Sequence, residues 1–134
     1  MKNILIIDDD EEDCDLLVDA VKTVDSSIHC FKAFSCKSGL ASLATENKPD
    51  FIFLDLNLPV WDGKKCLQKI TKMASTNDIP IIIYTTSKRQ TDMQQAHDLG
   101  AVYFITKPTA LKELCDEIIF VLDKGWEKYH PSPA

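Results

Sequence analysis

Two short apolar runs in this chain each end directly on aspartate. Residues 4–7 are followed by Asp8 and Asp9, and residues 51–54 are followed by Asp55. Short runs of β-branched and aromatic residues are typical of buried strands. If the two strands lie parallel and adjacent, their C-terminal ends bring several carboxylates to one edge of a sheet. Like charges held so close repel each other unless a cation joins them, so the pattern predicts a metal-assisted site at that edge.

Apolar runs and helical segments alternate along the whole chain. The runs predict five strands, at about residues 3–7, 28–34, 50–55, 80–85 and 101–105. Between them, apolar residues recur at helical spacing. Strict alternation of this kind predicts an α/β fold in which helices cover both faces of a parallel sheet, a three-layer sandwich. The continuously apolar strands agree, because such strands are buried on both faces.

Composition narrows the possible classes of protein. The chain has 134 residues, 45% of them hydrophobic, which fits one domain with a core of its own. Its net charge of −6 disfavours direct DNA binding, which needs a basic surface. We see no apolar run long enough to span a membrane and no signal-peptide pattern at the N-terminus. We therefore expect a cytoplasmic protein.

The five cysteines include no C-x-x-C pair. We expect neither a disulfide framework nor a zinc site from an odd number with this spacing. Cys14, Cys66 and Cys115 lie within helical patterns, where each is most simply read as a small apolar residue.

The residues that follow the predicted strands carry the chemistry. In an open parallel sheet, ligands bind beyond the C-terminal strand ends. Those ends supply Asp8, Asp9, Asp55, Asn57, Thr85, Thr86, Lys107 and Pro108. Clustered carboxylate oxygens suit Mg²⁺, and a carboxylate is a competent nucleophile toward phosphorus. A lysine and a threonine hydroxyl supply the charge and the hydrogen bond that phosphoryl oxygens need.

In this order the residues resemble the receiver domain of two-component response regulators, a CheY-like family. Residues 55–63 are similar to the phosphoacceptor loop of that family, and the likeness covers about residues 2–123. It implies a flavodoxin-like, doubly wound sheet of five strands in the order 2-1-3-4-5, with five helices. Residues 1–124 would form the receiver domain and residues 125–134 a short C-terminal tail.

The resemblance also assigns roles at the acidic edge. Asp55 would accept a phosphoryl group from a sensor histidine kinase or a histidine phosphotransfer protein. Asp8, Asp9 and Asp55 would hold Mg²⁺, together with the backbone carbonyl of Asn57. Lys107 would pair with the phosphoryl group.

The remaining roles concern the switch. The backbone N–H of Thr86 would also point at the phosphoryl group. The bond between Lys107 and Pro108 would be cis. Thr85 would move toward the phosphoryl group with Phe104, which would alter the face formed by the fourth helix, fifth strand and fifth helix. A downstream protein would read this face. Dimerisation is possible, and no output domain, DNA contact or membrane contact is expected.

Some residues depart from the usual pattern or receive an ordinary structural assignment. Thr86 stands where receivers usually have a smaller residue, and its bulk predicts slower uptake of a phosphoryl group. Thr109 is expected to be the N-cap of the last helix. Asp10, Asp13 and the acids around them are read as a solvated helix start. Trp126 and Tyr129 are expected to extend or pad the last helix.

Other functions remain open at this point. One is a receiver-like scaffold that acts without phosphorylation. Another is an aspartyl phosphohydrolase of the haloacid-dehalogenase class, although that class needs a second acid where this chain has Asn57. A nucleotide-binding fold fits less well, because no glycine-rich phosphate loop follows the first strand. The leading hypothesis is a signalling module that is an enzyme only in catalysing its own phosphorylation and dephosphorylation.

Overall fold

The computed structural model describes residues 2–45, 48–59, 62–73, 76, 78–124 and 126. Within them, five parallel strands in the order β2-β1-β3-β4-β5 alternate with five helices. The elements are β1 (Asn3–Ile7), α1 (Glu11–Val24), β2 (His29–Ala33), α2 (Cys36–Leu43), β3 (Phe51–Leu54), α3 (Gly63–Thr71), β4 (Ile81–Thr85), α4 (Gln90–Asp98), β5 (Tyr103–Thr106) and α5 (Leu111–Asp123). The predicted fold class is confirmed.

The register of the central strands places two aspartates side by side. Ile7 of β1 pairs with Ala33 of β2 on one side and with Leu54 of β3 on the other. The backbone N–H of Asp8 donates to the Ala33 carbonyl, and that of Asp55 donates to the Ile7 carbonyl, each at 3.0 Å. Asp8 and Asp55 therefore leave neighbouring strands at the same level of the sheet.

Side chains of β1 alternate between two cores. Ile4 and Ile6 pack with α1 and α5 on one face, whereas Leu5 and Ile7 pack with α2, α3 and α4 on the other. Successive side chains of a strand point to opposite faces, so a strand covered on both sides must be apolar throughout. The two cores give the predicted three layers.

Three of the five described helices begin with a side-chain cap, and α4 and α5 do not. Asp10, Ser35 and Asp62 cap α1, α2 and α3 by accepting hydrogen bonds from backbone N–H groups of the first turn. The expectation that Thr109 caps α5 is wrong. The N-cap of α5 is Ala110, which makes no side-chain cap bond. The helix begins one residue later than predicted, so the Thr109 side chain precedes the capping position.

The fourth helix is held by a narrow apolar stripe. Ala96 is the buried residue of α4, and most of its other side chains are polar. The helix ends at Asp98, and Gly100 follows two residues later with a φ of 112°, in the left-handed region that favours glycine. A helix that buries so little of its surface is held weakly by apolar packing.

Cys36 of α2 and Cys66 of α3 form a disulfide, with their Cα atoms 5.7 Å apart. The expectation that Cys66 is simply a small apolar residue is wrong, and this one disulfide was not expected from the spacing of the cysteines. The two cysteines meet because α2 and α3 pack side by side on the same face of the sheet. Cys14 and Cys115 do pack against the other core as small apolar side chains.

Trp126 covers the end of α5. Its indole N–H donates to the Val121 carbonyl at 2.6 Å, and its ring lies beside Tyr103 and Phe120. It therefore pads the last helix, as predicted. Tyr129, with most of the predicted tail, lies outside the described residues. None of the helices that the structure describes is long and apolar enough to cross a lipid bilayer.

Candidate functional site

The ends of β1 and β3 group three carboxylates at one point of the sheet edge. One oxygen each from Asp8, Asp9 and Asp55 lies within 4.8 Å of the others. Asp8 is 1% exposed and Asp55 is 5% exposed, whereas Asp9 is open to solvent. Carboxylate oxygens at this spacing suit a hard divalent cation that keeps part of its water shell. The acidic residues that the sequence predicts to converge do so, and their donor set fits a divalent metal.

Lys107 joins this cluster from the end of β5. Its ammonium nitrogen lies 2.9 Å from Asp8 Oδ2, 3.2 Å from Asp55 Oδ2 and 2.8 Å from Asp13 Oδ2. Its backbone N–H donates to the Thr85 carbonyl at 2.7 Å, which fixes the point where the chain leaves the sheet. The side chain is 8% exposed. Lys107 therefore holds a buried positive charge against three carboxylates.

Burial and charge set the titration of these groups. Burial raises the pKa of Asp8 from its ordinary value of 3.8 to about 6, although hydrogen bonds from Lys107 and from the Asp10 backbone oppose the rise. For Lys107, burial lowers the pKa, but hydrogen bonds to Asp13 and Asp8 and the charge of Asp55 outweigh burial, so the pKa is raised. Lys107 is consequently charged at neutral pH, and Asp8 is a carboxylate whose charged form needs support from a cation.

The two oxygens of Asp55 have different partners. Oδ2 faces Lys107, and Oδ1 accepts a hydrogen bond from the backbone N–H of Asn57 at 3.1 Å. Close packing of α3 shapes this loop: a Cβ atom added to Gly63 would lie 2.3 Å from both the Asp55 carbonyl oxygen and the Leu56 Cα. Glycine at this position lets the start of α3 approach the loop that follows β3. Val60 and Trp61 of the same loop lie outside the described residues.

Thr85 and Thr86 meet Asn57 beside the acidic cluster. The Asn57 side-chain amide donates to Thr85 Oγ1 at 3.4 Å and to Thr86 Oγ1 at 3.2 Å. Thr85 is fully buried, whereas Thr86 is exposed. Asn57 thus links the loop after β3 to the end of β4.

Phe104 lies apart from the acidic cluster. It is half-buried on β5 and lines a cavity of about 320 Å³ between β5 and α4, together with Met93, Ala96 and His97. Its strand partner is Ile83, two residues before Thr85. The switch pair predicted from the sequence therefore occupies adjacent strands.

The prediction of a cis peptide bond between Lys107 and Pro108 is wrong. No cis peptide bond occurs in the residues that the structure describes, and this bond is trans. Proline reduces the preference for trans to about 0.5–1 kcal/mol but does not reverse it. Lys107 reaches the acidic cluster from the trans backbone.

Two features escaped the sequence interpretation. Asp13, read there as a solvated helix residue, contacts Lys107 directly. Asp92 of α4 accepts hydrogen bonds from Lys64 of α3 at 2.7 Å and from the Ser87 hydroxyl at 2.5 Å. The position of Asp13 in the first turn of α1 is a signal for this contact, because helical side chains there point back toward the preceding strand end. The Ser87 contact spans only five residues, whereas the contact with Lys64 joins separate helices and has no local signal in the sequence.

Comparison with known proteins decides the family. Residues 4–119 match the family described as the response regulator receiver domain. The chain belongs to this family. Response regulator Rcp1 from Synechocystis sp. is 33% identical over 122 residues, which cover 84% of this chain and 81% of Rcp1. Protein PilH from Pseudomonas aeruginosa is 33% identical over 122 residues, which cover 91% of this chain and 98% of PilH.

Solved receiver structures agree. The phosphorylated cyanobacterial phytochrome response regulator RcpA superimposes with a TM-score of 0.79 at 28% identity, covering 99% of this chain and 96% of RcpA. The Mn²⁺-bound form of Rcp1 gives 0.78 at 26% identity and covers 100% of both chains. Receiver domains are signalling modules of phosphorylation-dependent two-component systems, where they interact with histidine kinases and downstream targets. That is the functional class of this receiver.

Proposed function

We propose that this receiver is switched by phosphorylation of Asp55. The observation that supports this is the position of the Asp55 carboxylate. It shares the acidic cluster with Asp8 and Asp9, and its Oδ2 lies 3.2 Å from the Lys107 ammonium. A nucleophile placed between a metal-binding group and a fixed positive charge suits phosphoryl transfer, which depends on positioning and charge neutralisation.

The reaction forms one bond and breaks one. A carboxylate oxygen of Asp55 bonds to phosphorus while the bond from phosphorus to the donor breaks. The electron pair of that bond leaves with the donor, which is a phosphohistidine of a sensor kinase or of a phosphotransfer protein. Asp8, Asp9, Asp55 and the carbonyl of Asn57 would hold Mg²⁺, which neutralises charge on the phosphoryl oxygens when it is bound.

The neighbouring residues would receive the transferred group. Lys107 is already charged and directed at Asp55, so it can pair with a phosphoryl oxygen without a proton transfer. The backbone N–H of Thr86 would donate to a second oxygen. The Thr85 hydroxyl, now an acceptor from Asn57, would turn to donate to a third.

The turn of Thr85 would carry the signal outward. Phe104 on the adjacent strand lines the cavity under α4, so it can follow Thr85 into a second rotamer. Because α4 is held by few apolar contacts, this change would shift the face formed by α4, β5 and α5. A downstream protein target would bind the altered face.

We extend the proposal to the setting of the protein. Residues 1–124 would act as the receiver, with residues 125–134 as a tail, in the cytoplasm where the kinase domain works. The receiver would act on no substrate beyond its own aspartate.

Intact mass measurement tests the proposal. The protein is incubated with Mg²⁺ and acetyl phosphate, and we expect the mass gain of one phosphoryl group, removable by hydroxylamine. Asp55→Asn should abolish the gain. Asp50→Asn is the matched control, because Asp50 lies at the opposite end of β3, where its carboxylate accepts from the Asn3 N–H at 2.7 Å. A wild-type protein that neither gains mass nor binds beryllofluoride would overturn the proposal.

A further inference from the structure

The contact between Asp13 and Lys107 is the shortest of the three ion pairs at the site. Asp13 Oδ2 lies 2.8 Å from Lys107 Nζ, closer than the oxygens of Asp8 and Asp55. Asp13 sits in the first turn of α1, where its backbone N–H donates to Asp10 Oδ1 at 3.1 Å. The cap fixes this turn over the sheet edge and so directs Asp13 at Lys107.

The Lys107 ammonium has no spare donor. An ammonium group carries three N–H donors, and Asp8, Asp13 and Asp55 each accept one. A phosphoryl group on Asp55 brings additional oxygens that need Lys107. The phosphoryl group takes over the share of Asp55, but its oxygens lie beyond the carboxylate oxygen that bonds to phosphorus. Lys107 must therefore move to reach them, and its contact with Asp8 or with Asp13 must give way.

Burial decides which carboxylate yields. The Asp8 side chain is 1% exposed, and its other oxygen already accepts from the Asp10 N–H at 2.9 Å. The Asp13 side chain is 33% exposed. A carboxylate near water loses little free energy when its partner leaves, because water hydrates it. A buried carboxylate is left as an unpaired charge, which costs far more. Asp13 is therefore the partner that Lys107 can release.

We propose that Asp13 is a restraining counterion, a positioning residue that holds Lys107 in the unphosphorylated receiver and competes with the phosphoryl group for it. The inference rests on the proposed function, since the competition requires a phosphoryl group at Asp55. Asp13 also places a negative charge near the oxygens of the incoming group. Both effects slow the gain of the phosphoryl group and favour its loss.

Substitution of Asp13 tests the inference. Asp13→Asn keeps the shape of the side chain and removes its charge. At saturating Mg²⁺ we expect the rate constant for phosphorylation by acetyl phosphate to rise about threefold, as befits an ion pair that is one third exposed. The half-life of the phosphorylated protein should lengthen by a similar factor. Asp13→Glu retains the charge and should return both values toward those of the wild type.

A matched control separates this contact from net charge. Asp15 lies on the same helix and pairs with Lys32 at 2.8 Å, away from Lys107. Asp15→Asn removes the same charge and should leave both rates unchanged. Added salt should shrink the difference between Asp13→Asn and the wild type, because the pair is partly solvated. Urea unfolding of each variant establishes that the fold is intact.

The outcomes separate the two proposals. If the wild type is phosphorylated and Asp13→Asn reacts at the same rate or more slowly, Asp13 is no restraint and only this inference fails. If Asp15→Asn reproduces the effect of Asp13→Asn, general charge explains it and the inference also fails. If the wild type neither gains a phosphoryl group nor binds beryllofluoride, the proposed function fails and the inference falls with it.

Discussion

Lys64 at the start of α3 and Asp92 in α4 form an ion pair with 2.7 Å between nitrogen and oxygen. Asp92 also accepts from the Ser87 hydroxyl, and Lys64 also donates to the Gln95 side chain. These contacts tie the weakly packed α4 to the helix that follows the Asp55 loop. Polar as well as apolar contacts therefore position α4, and the polar contacts can be removed by substitutions outside the core.

We predict that Asp92→Asn loosens α4. Loss of the ion pair should destabilise the fold by about 0.5–1 kcal/mol, since both side chains are partly exposed. Amide hydrogen exchange in residues 90–98 should accelerate more than exchange in α1. Hydrogen bonds from Lys64 and Ser87 lower the pKa of Asp92 in the folded protein. The stability that Asp92 adds to the fold is therefore present above pH 4 and is lost as the pH falls through this lowered pKa. Lys112→Met, which alters an exposed pair on α5, should leave α4 exchange unchanged.

Thr86→Ala should accelerate uptake of a phosphoryl group from acetyl phosphate. The exposed Thr86 side chain adds bulk at the entrance to Asp55, and its hydroxyl accepts from the Asn57 amide at 3.2 Å. We expect about a threefold faster rate, the size of one modest hydrogen bond. Thr86→Ser keeps the hydroxyl and removes the methyl group. If Thr86→Ala reacts faster than the wild type and Thr86→Ser does not, the hydroxyl contact with Asn57 accounts for the slower rate of the wild type. Equal rates in the wild type and Thr86→Ala would contradict the prediction.

Much of the fold and of the candidate site could be predicted because both follow from periodic features. The strands are short, apolar and regularly spaced, and parallel strands end at one edge of the sheet. The convergence of Asp8, Asp55 and Lys107 follows from that geometry and needs no knowledge of side-chain contacts. The strand ends are local signals, which a sequence retains.

Two of the missed features depend on packing between distant elements, and a third is a small shift in a helix start. Cys36 and Cys66 lie 30 residues apart, and only the placement of α2 beside α3 brings them together. Asp13 is one of several acidic residues at the start of α1, and its partner Lys107 lies 94 residues away. The prediction for Thr109 is wrong because α5 begins one residue later than expected, so that Ala110 takes the capping position. Such details are set by tertiary contacts, which composition and spacing do not record.

Gly63→Ala should destabilise the protein and impair phosphorylation together. The added Cβ would lie 2.3 Å from the Asp55 carbonyl oxygen and the Leu56 Cα, which are backbone atoms that cannot move aside without displacing Asp55. We expect a loss of about 2–3 kcal/mol in the free energy of unfolding, as in overpacked cores. Gly39→Ala is the matched control. Its new Cβ would lie 2.5 Å from Ile7 Cδ1 and 2.8 Å from Ile7 Cγ1, which are side-chain atoms of the core. Gly39→Ala should therefore lose stability as well, but without displacing the Asp55 loop, so phosphorylation should be retained.

Asp8 should make the metal-free receiver less stable as pH rises. Its pKa is raised from 3.8 to about 6 in the folded protein, mainly by burial, so between these values the folded chain binds a proton that the unfolded chain releases. The contribution of Asp8 to the free energy of unfolding is therefore greatest below pH 4. It decreases by roughly 2–3 kcal/mol as the pH rises to about 6. Urea unfolding in a chelator should show this decline in the wild type and lose it in Asp8→Asn. Asp15→Asn should retain it, and curves of the wild type and of Asp8→Asn that run parallel between pH 4 and pH 6 would contradict the prediction.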